Sequence, residues 1–150
     1  MKKFICKKEI ELHTIVKEVL EKAENSGRVG AFVVALYGEL GAGKTTFTKH
    51  FARELGITKE ITSPTFVIQK RFEIAEDKNK IFKNFYHLDV YRIDSAEEIE
   101  SLGWKEIISD PKNIVLVEWA DKIENKLPKN ALKIKFVFVN DTTREVQVFE

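Results

Sequence analysis

The stretch from Gly38 to Thr46, G-E-L-G-A-G-K-T-T, constrains this chain more than any other. It fits the phosphate-binding loop template G-x-x-x-x-G-K-[ST], with Gly38, Gly43, Lys44 and Thr45 at the fixed positions. The flanks fit as well. Ala31 to Tyr37 is a continuous apolar run of buried-strand type, and Phe47, Phe51 and Leu55 follow at helical spacing up to Gly56. Glycines let the backbone fold round a phosphate with no Cβ in the way. The amides from about Gly41 to Thr46 then form an anion nest, to which the following helix adds the positive end of its dipole. Lys44 reaches β- and γ-phosphate oxygens in such a loop, and the Thr45 hydroxyl ligates Mg²⁺.

A chain of 150 residues is long enough for one domain with a substantial core. The formal net charge of +1 gives no global bias toward nucleic acid or membrane. The single cysteine, Cys6, has no internal disulfide partner, which suits a reducing compartment, and it reads as a small buried strand residue. The N-terminus has no apolar core of signal-peptide length, and no apolar run approaches the roughly 20 residues that span a bilayer. A soluble, cytoplasmic protein with no membrane association is expected.

A second acidic signal lies far along the chain. Asn113 to Trp119 reads N-I-V-L-V-E-W, an apolar strand that delivers Glu118 to its C-terminal end. This is the physical pattern of a Walker B strand, whose carboxylate meets Mg²⁺ beside the phosphate loop. Between the two signals, Phe66 to Ile74 and Ile81 to Val90 read as a hairpin, and the second strand ends in Y-H-L-D-V-Y-R. Asp89 there is placed to face metal and attacking water, or else caps a turn. His87 alternates with Asp89 on one face and reads as structural. Thr62, Ser63 and Thr65 around Pro64 make either a turn or a loop that senses the γ-phosphate.

The remaining segments are scaffold. Phe4 to Cys6 reads as a short strand. Leu12, Ile15, Val16, Val19, Leu20 and Ala23 form one helical stripe that stops at Asn25-Ser26-Gly27. Asp94-Ser95 caps a short helix through Leu102, Gly103 breaks it, and Trp104 to Ile108 forms another. Ala120 to Leu127 is a short helical or loop segment. Leu132 to Val139 and Glu145 to Phe149 alternate as a C-terminal hairpin. The expected fold is a three-layer α/β/α domain with a mainly parallel central sheet and antiparallel hairpin additions.

The ordered set G-E-L-G-A-G-K-T-T, T-S-P-T-F, Y-H-L-D-V-Y-R-I, E-E-I-E-S-L-G and L-V-E-W-A-D-K-I resembles the TsaE (YjeE) family, bacterial ATPases of tRNA threonylcarbamoyladenosine synthesis. The resemblance runs from the first helix to the last hairpin. It implies ATP and Mg²⁺ as cofactors, with Thr45 and Glu118 on the metal and Lys44 and Asp89 serving hydrolysis. Around the nucleotide it places Glu39 (where an Asp is usual), Gly41, Ala42, Gly43, Lys44, Thr45, Thr46, Thr65 and Trp119, and more loosely Glu11 and Arg144. It implies an ATPase that is weak alone and acts on a transferase core of TsaD and TsaB, meeting tRNA only through that complex. The alternative is a small-molecule kinase, which also uses such a loop; it needs an arginine-bearing lid, for which little chain remains. No guanine-reading N-K-x-D motif is present.

Overall fold

The apolar run that precedes the phosphate loop forms strand β2, Phe32–Tyr37, and it is buried on both faces. A strand in that position cannot lie at a sheet edge, because its backbone and both side-chain rows need partners. In the computed structural model, which describes residues 1–62 and 69–150, β2 has parallel neighbours on both sides. One is β5, Asn113–Glu118; the other is β6, Leu132–Phe138.

The described residues form a seven-stranded sheet in the order β1-β7-β6-β2-β5-β4-β3. Here β1 is Lys2–Cys6, β3 is Gln69–Glu73, β4 is Asn84–Asp89 and β7 is Arg144–Phe149. The central strands β6, β2, β5 and β4 run parallel. Antiparallel strands close both sides, β3 against β4 at one edge and β7 with β1 at the other. The mixed sheet therefore has the parallel centre and hairpin additions expected of it.

Alternation along the strands separates two cores. Val34 and Leu36 of β2 with Ile114 and Leu116 of β5 face one layer. That layer holds the stripe of α1, Leu12–Asn25, and Phe47, Phe51 and Ala52 of α2, Lys44–Glu54. Val33, Ala35, Val115 and Val117 face the opposite layer. There they meet Ile99, Trp104 and Ile107, from the 3-10 segment Ala96–Leu102 and helix α3, Trp104–Ser109, and Ile123 of the 3-10 segment Ala120–Lys126.

Several boundaries differ from the sequence reading, each for a local reason. β4 begins at Asn84, not Ile81, because the Asn79 side-chain oxygen accepts the amides of Ile81 and Phe82 at 2.9 and 2.8 Å and holds them in a turn. The segment after Ser95 is a 3-10 helix whose N-cap makes no side-chain bond. The end of α1 does fall at the Asn25-Ser26-Gly27 stop, where Ser26 and Arg28 donate to the Ala23 carbonyl at 2.7 Å each. β1 starts earlier than expected, at Lys2. Residues 66–68 of the expected first hairpin strand lie outside the described residues.

Phe47 joins α2 to the sheet, with its ring 5.5 Å from Phe136 and 6.0 Å from Phe51, fully buried. Phe47→Ala is expected to cost about 3–5 kcal/mol by chemical denaturation, the range for truncating a buried phenylalanine.

Candidate active site

The loop between β2 and α2 owes its shape to a close backbone approach. Gly38 has φ +140°, and a Cβ there would lie 2.5 Å from the Phe136 carbonyl oxygen of neighbouring β6. Only glycine fits that point. Gly43, with φ +114°, takes the N-cap position of α2. The first amides of α2 have no intrahelical acceptor and open onto the loop. Ala42 is an exception to the expected nest: its amide closes a turn on the Glu39 carbonyl at 3.1 Å.

Lys44 is the first residue of α2 and is buried. Its ammonium donates to the carbonyls of Gly38 and, at 2.9 Å, Glu39. It also lies 4.1 Å from the ring centroid of Trp119, within cation–π range. Burial lowers the lysine pKa from its ordinary value, and the carboxylates of Glu118, Asp89, Glu39 and Asp121 oppose that shift. Glu39 thus meets Lys44 through its backbone carbonyl as well as through its charge.

Glu118 ends β5 and is 1 % exposed. Its Oε1 accepts from the Thr45 hydroxyl at 2.6 Å, and its Oε2 accepts from Nε2 of His87. Asp89 stands in register beside it on the parallel strand β4. The Asp89 Oδ1 accepts the Tyr91 amide at 3.1 Å. The structure therefore brings Lys44, Thr45, Asp89 and Glu118 to one end of the sheet, although they come from three separate stretches of sequence.

Trp119 follows Glu118 in a left-handed conformation, φ 59°, the one non-glycine residue with positive φ among those described. Such a conformation is costly for a bulky residue and persists where surroundings enforce it. Here the Tyr91 ring packs 4.7 Å away and the Lys44 ammonium sits over the indole.

On the other side of the loop, Arg144 donates to the Gly41 carbonyl at 3.3 and 3.2 Å and lies over the Phe138 ring. These bonds tie it to the loop. Beside it a cleft of about 220 Å³ is lined by Gly41, Ala42, Gly43, Thr46, Cys6 and Leu12, among others. Cys6 is buried as expected, and burial pushes its thiol up. Glu11 is not part of that lining: its carboxylate accepts the amides of Lys7 and Lys8 at 2.5 and 3.1 Å, which hold it below the usual carboxylate range. Thr65 lies outside the described residues.

The donor chemistry fits a magnesium ion. A hydroxyl and a carboxylate oxygen, both hard donors, converge between Thr45 and Glu118. Among the described residues no group of three or more His, Cys, Asp and Glu side chains forms a metal cage. Mg²⁺ at Thr45 and Glu118 would thus complete its shell with phosphate oxygens and water, its usual mode.

Two features escaped sequence reasoning. His87 reads as a lone structural histidine, yet it bonds the key carboxylate; its alternation with Asp89 was the available signal, and the β4–β5 register was the missing one. The Tyr37 hydroxyl donates to Glu124 at 2.6 Å, and Lys133 pairs with the same carboxylate, tying the Ala120–Lys126 segment to the sheet beside the loop. Burial and the Glu124 carboxylate push the Tyr37 phenol well up. The Lys133 ammonium and the Tyr37 hydroxyl hold Glu124 below its ordinary 4.5. A depressed folded value means a contribution present above about pH 4.5 and lost as pH falls through the lower, folded value. Glu124→Gln is expected to flatten the acid limb of the stability profile between about pH 5 and 3, by under about 1 kcal/mol because the pair is half exposed.

Comparison with known proteins adds a further observation. Residues 6–146 match the family described as Threonylcarbamoyl adenosine biosynthesis protein TsaE. A Bacillus subtilis protein named tRNA threonylcarbamoyladenosine biosynthesis protein TsaE is 45% identical over 114 residues, 76% of this chain and 66%, just under two thirds, of that protein. A Treponema pallidum protein of the same name is 34% identical over 135 residues, 90% of this chain and 88% of that one. The crystal structure of Bacillus subtilis YdiB superposes with a TM-score of 0.73 at 34% identity, covering 98% of this chain and 83% of that one.

Proposed function

The chain belongs to the TsaE family, and from that membership we propose that it is an ATPase serving threonylcarbamoylation of adenosine beside the anticodon of tRNA. The observation that carries the hydrolytic reading is the convergence of Lys44, Thr45 and Glu118 at the phosphate loop, with Asp89 in register beside Glu118. ATP lies along the loop. The amides at the start of α2 and the Lys44 ammonium hold its β- and γ-phosphate oxygens. Lys44 exchanges its carbonyl partners for phosphate oxygens, where charge-assisted bonds are stronger. Mg²⁺, when bound at Thr45 and Glu118, withdraws charge from the phosphates.

Water attacks the γ-phosphorus in line, its oxygen forms the new P–O bond, and the bond to the β-phosphate oxygen breaks. Asp89 accepts the water's proton directly or through a second water. Lys44 and the loop amides stabilise the charge that develops on the β–γ bridge and the γ-oxygens. Trp119, whose ring faces Lys44, walls that side of the phosphate loop.

The output of the cycle is felt by a TsaD–TsaB transferase core in the cytoplasm. The near-neutral charge of the chain favours a role through that complex over direct tRNA contact. Co-purification with the pair is expected to depend on ATP and Mg²⁺. A tight, salt-sensitive complex of the isolated chain with tRNA would contradict this arrangement, and stoichiometric transfer of phosphate to a metabolite would replace the ATPase reading by a kinase.

Lys44→Ala is expected to abolish the thermal stabilisation given by ATP and Mg²⁺, and with it phosphate release, while the nucleotide-free protein keeps its far-UV circular dichroism. Differential scanning fluorimetry and a phosphate-release assay with the transferase core check both halves. Retained phosphate release in Lys44→Ala would reject the assignment of the lysine.

A further inference from the structure

We propose that His87 is a positioning residue that fixes one oxygen of Glu118 so that the other is presented, together with the Thr45 hydroxyl, to a nucleotide-bound divalent cation. The assignment rests on the nucleotide-hydrolysis reading above. It begins with the sheet register. β4 and β5 run parallel, with His87 opposite Leu116 and Asp89 opposite Glu118. His87 and Asp89 lie two residues apart, so they share a face of the sheet. From that place the imidazole reaches diagonally to the Glu118 carboxylate.

The bond is fully enclosed: His87 is 0% exposed and Glu118 is 1% exposed. An ionised carboxylate only accepts, so Nε2 of His87 carries the proton and donates to Oε2. The opposite oxygen, Oε1, takes the Thr45 hydroxyl at 2.6 Å. The two carboxylate oxygens are thus divided between two donors, one on the next strand and one on the phosphate-loop helix. The Nδ1 of His87 has no hydrogen-bond partner. Glu118 is therefore the sole hydrogen-bonding partner of this imidazole among the described residues.

That pattern does not suit a histidine kept only to fill space. A leucine packs as well between strands and brings no polar atoms to desolvate. The terminal torsion of a glutamate is broad and nearly two-fold, so a carboxylate held by Thr45 alone is free to turn. Fixing Oε2 removes that freedom. When a metal then competes for the Thr45 hydroxyl, Oε1 is already aimed at the loop. Loss of such an outer partner of a metal ligand typically weakens metal affinity about 10–100-fold.

The test uses the full-length chain and a fluorescent ATP analogue, titrated with Mg²⁺ and, separately, in chelator. Mn²⁺ binding followed by electron paramagnetic resonance gives an independent reading of the cation. His87→Leu is expected to raise the Mg²⁺ concentration for half-maximal nucleotide binding about 10-fold or more, with binding in chelator unchanged. His87→Gln, whose amide nitrogen falls near the position of the imidazole Nε2, is expected to recover most of the wild-type cation response. His87→Asn, one bond shorter, is expected to behave like leucine.

If His87→Leu fails to fold, the glutamine–asparagine pair carries the same comparison with two polar side chains. Equal cation dependence in all variants and wild type overturns the assignment. So does glutamine behaving no better than asparagine, or a matching loss of binding in chelator, which would mark a structural role. A wild-type chain with no metal-dependent nucleotide binding would overturn the nucleotide reading and this assignment together. Wild-type binding with a silent His87→Leu removes only the role of His87.

Discussion

A carboxylate at the closed end of a buried strand is expensive unless its oxygens are paired, and Glu118 is such a group. The cost is met by two donors that arrive from different layers of sequence: Thr45 from the first turn of α2 and His87 from β4. Neither reaches Glu118 unless β4, β5 and β2 lie side by side in the observed register. The fold and the site are in this sense one constraint. A slip of one residue in β5 would turn Glu118 to the other face of the sheet, away from Thr45 and beside Val33 and Ala35 of β2.

Lys44 supplies the opposite charge a short way off, and its surroundings differ in kind. Its ammonium is held by neutral carbonyls of Gly38 and Glu39 and by the face of Trp119. These contacts offset part of its desolvation, and the carboxylates around it offset more. Trp119 bears a backbone cost of its own, a left-handed conformation that turns the chain directly after Glu118. The same turn lets one stretch, Glu118-Trp119, present an acid to Thr45 and an aromatic face to Lys44. The Tyr37–Glu124–Lys133 contact then pins the segment that follows.

Much of this was legible in the sequence. The phosphate loop carries its own spacing, and Glu118 stands out because an acid after four apolar residues needs a partner. The two innermost strands, β2 and β5, read clearly, since burial on both faces leaves continuous apolar runs. What stayed hidden depended on neighbours that sequence spacing does not reveal. His87 looked isolated because its partner lies on another strand. The bond from Arg144 to the loop was not readable because the Gly41 carbonyl it meets is brought near only by the folded sheet. The start of β4 was missed because a single side chain, Asn79, takes the two amides that would have begun the ladder. Glu11 shows the reverse: the resemblance loosely placed it near the nucleotide, and in the structure local amides claim its carboxylate.

The two charged groups of the site also differ in how freely they exchange partners. Glu118 has both oxygens committed to donors fixed on regular elements, so its position changes little unless β4 or α2 moves. Lys44 is held by bonds to uncharged acceptors in the loop and by an aromatic face. Phosphate oxygens offer it charge-assisted bonds of roughly twice the strength. A nucleotide therefore draws the lysine out of contacts that also help shape Gly38, Glu39 and Trp119. Gly38 and Glu39 follow the end of β2, next to exposed Leu40 on the loop, and Trp119 follows the end of β5. Under the proposed function, the loop backbone and the indole are thus the parts whose arrangement depends on nucleotide, and Glu118 with Thr45 and His87 is the fixed frame against which they move.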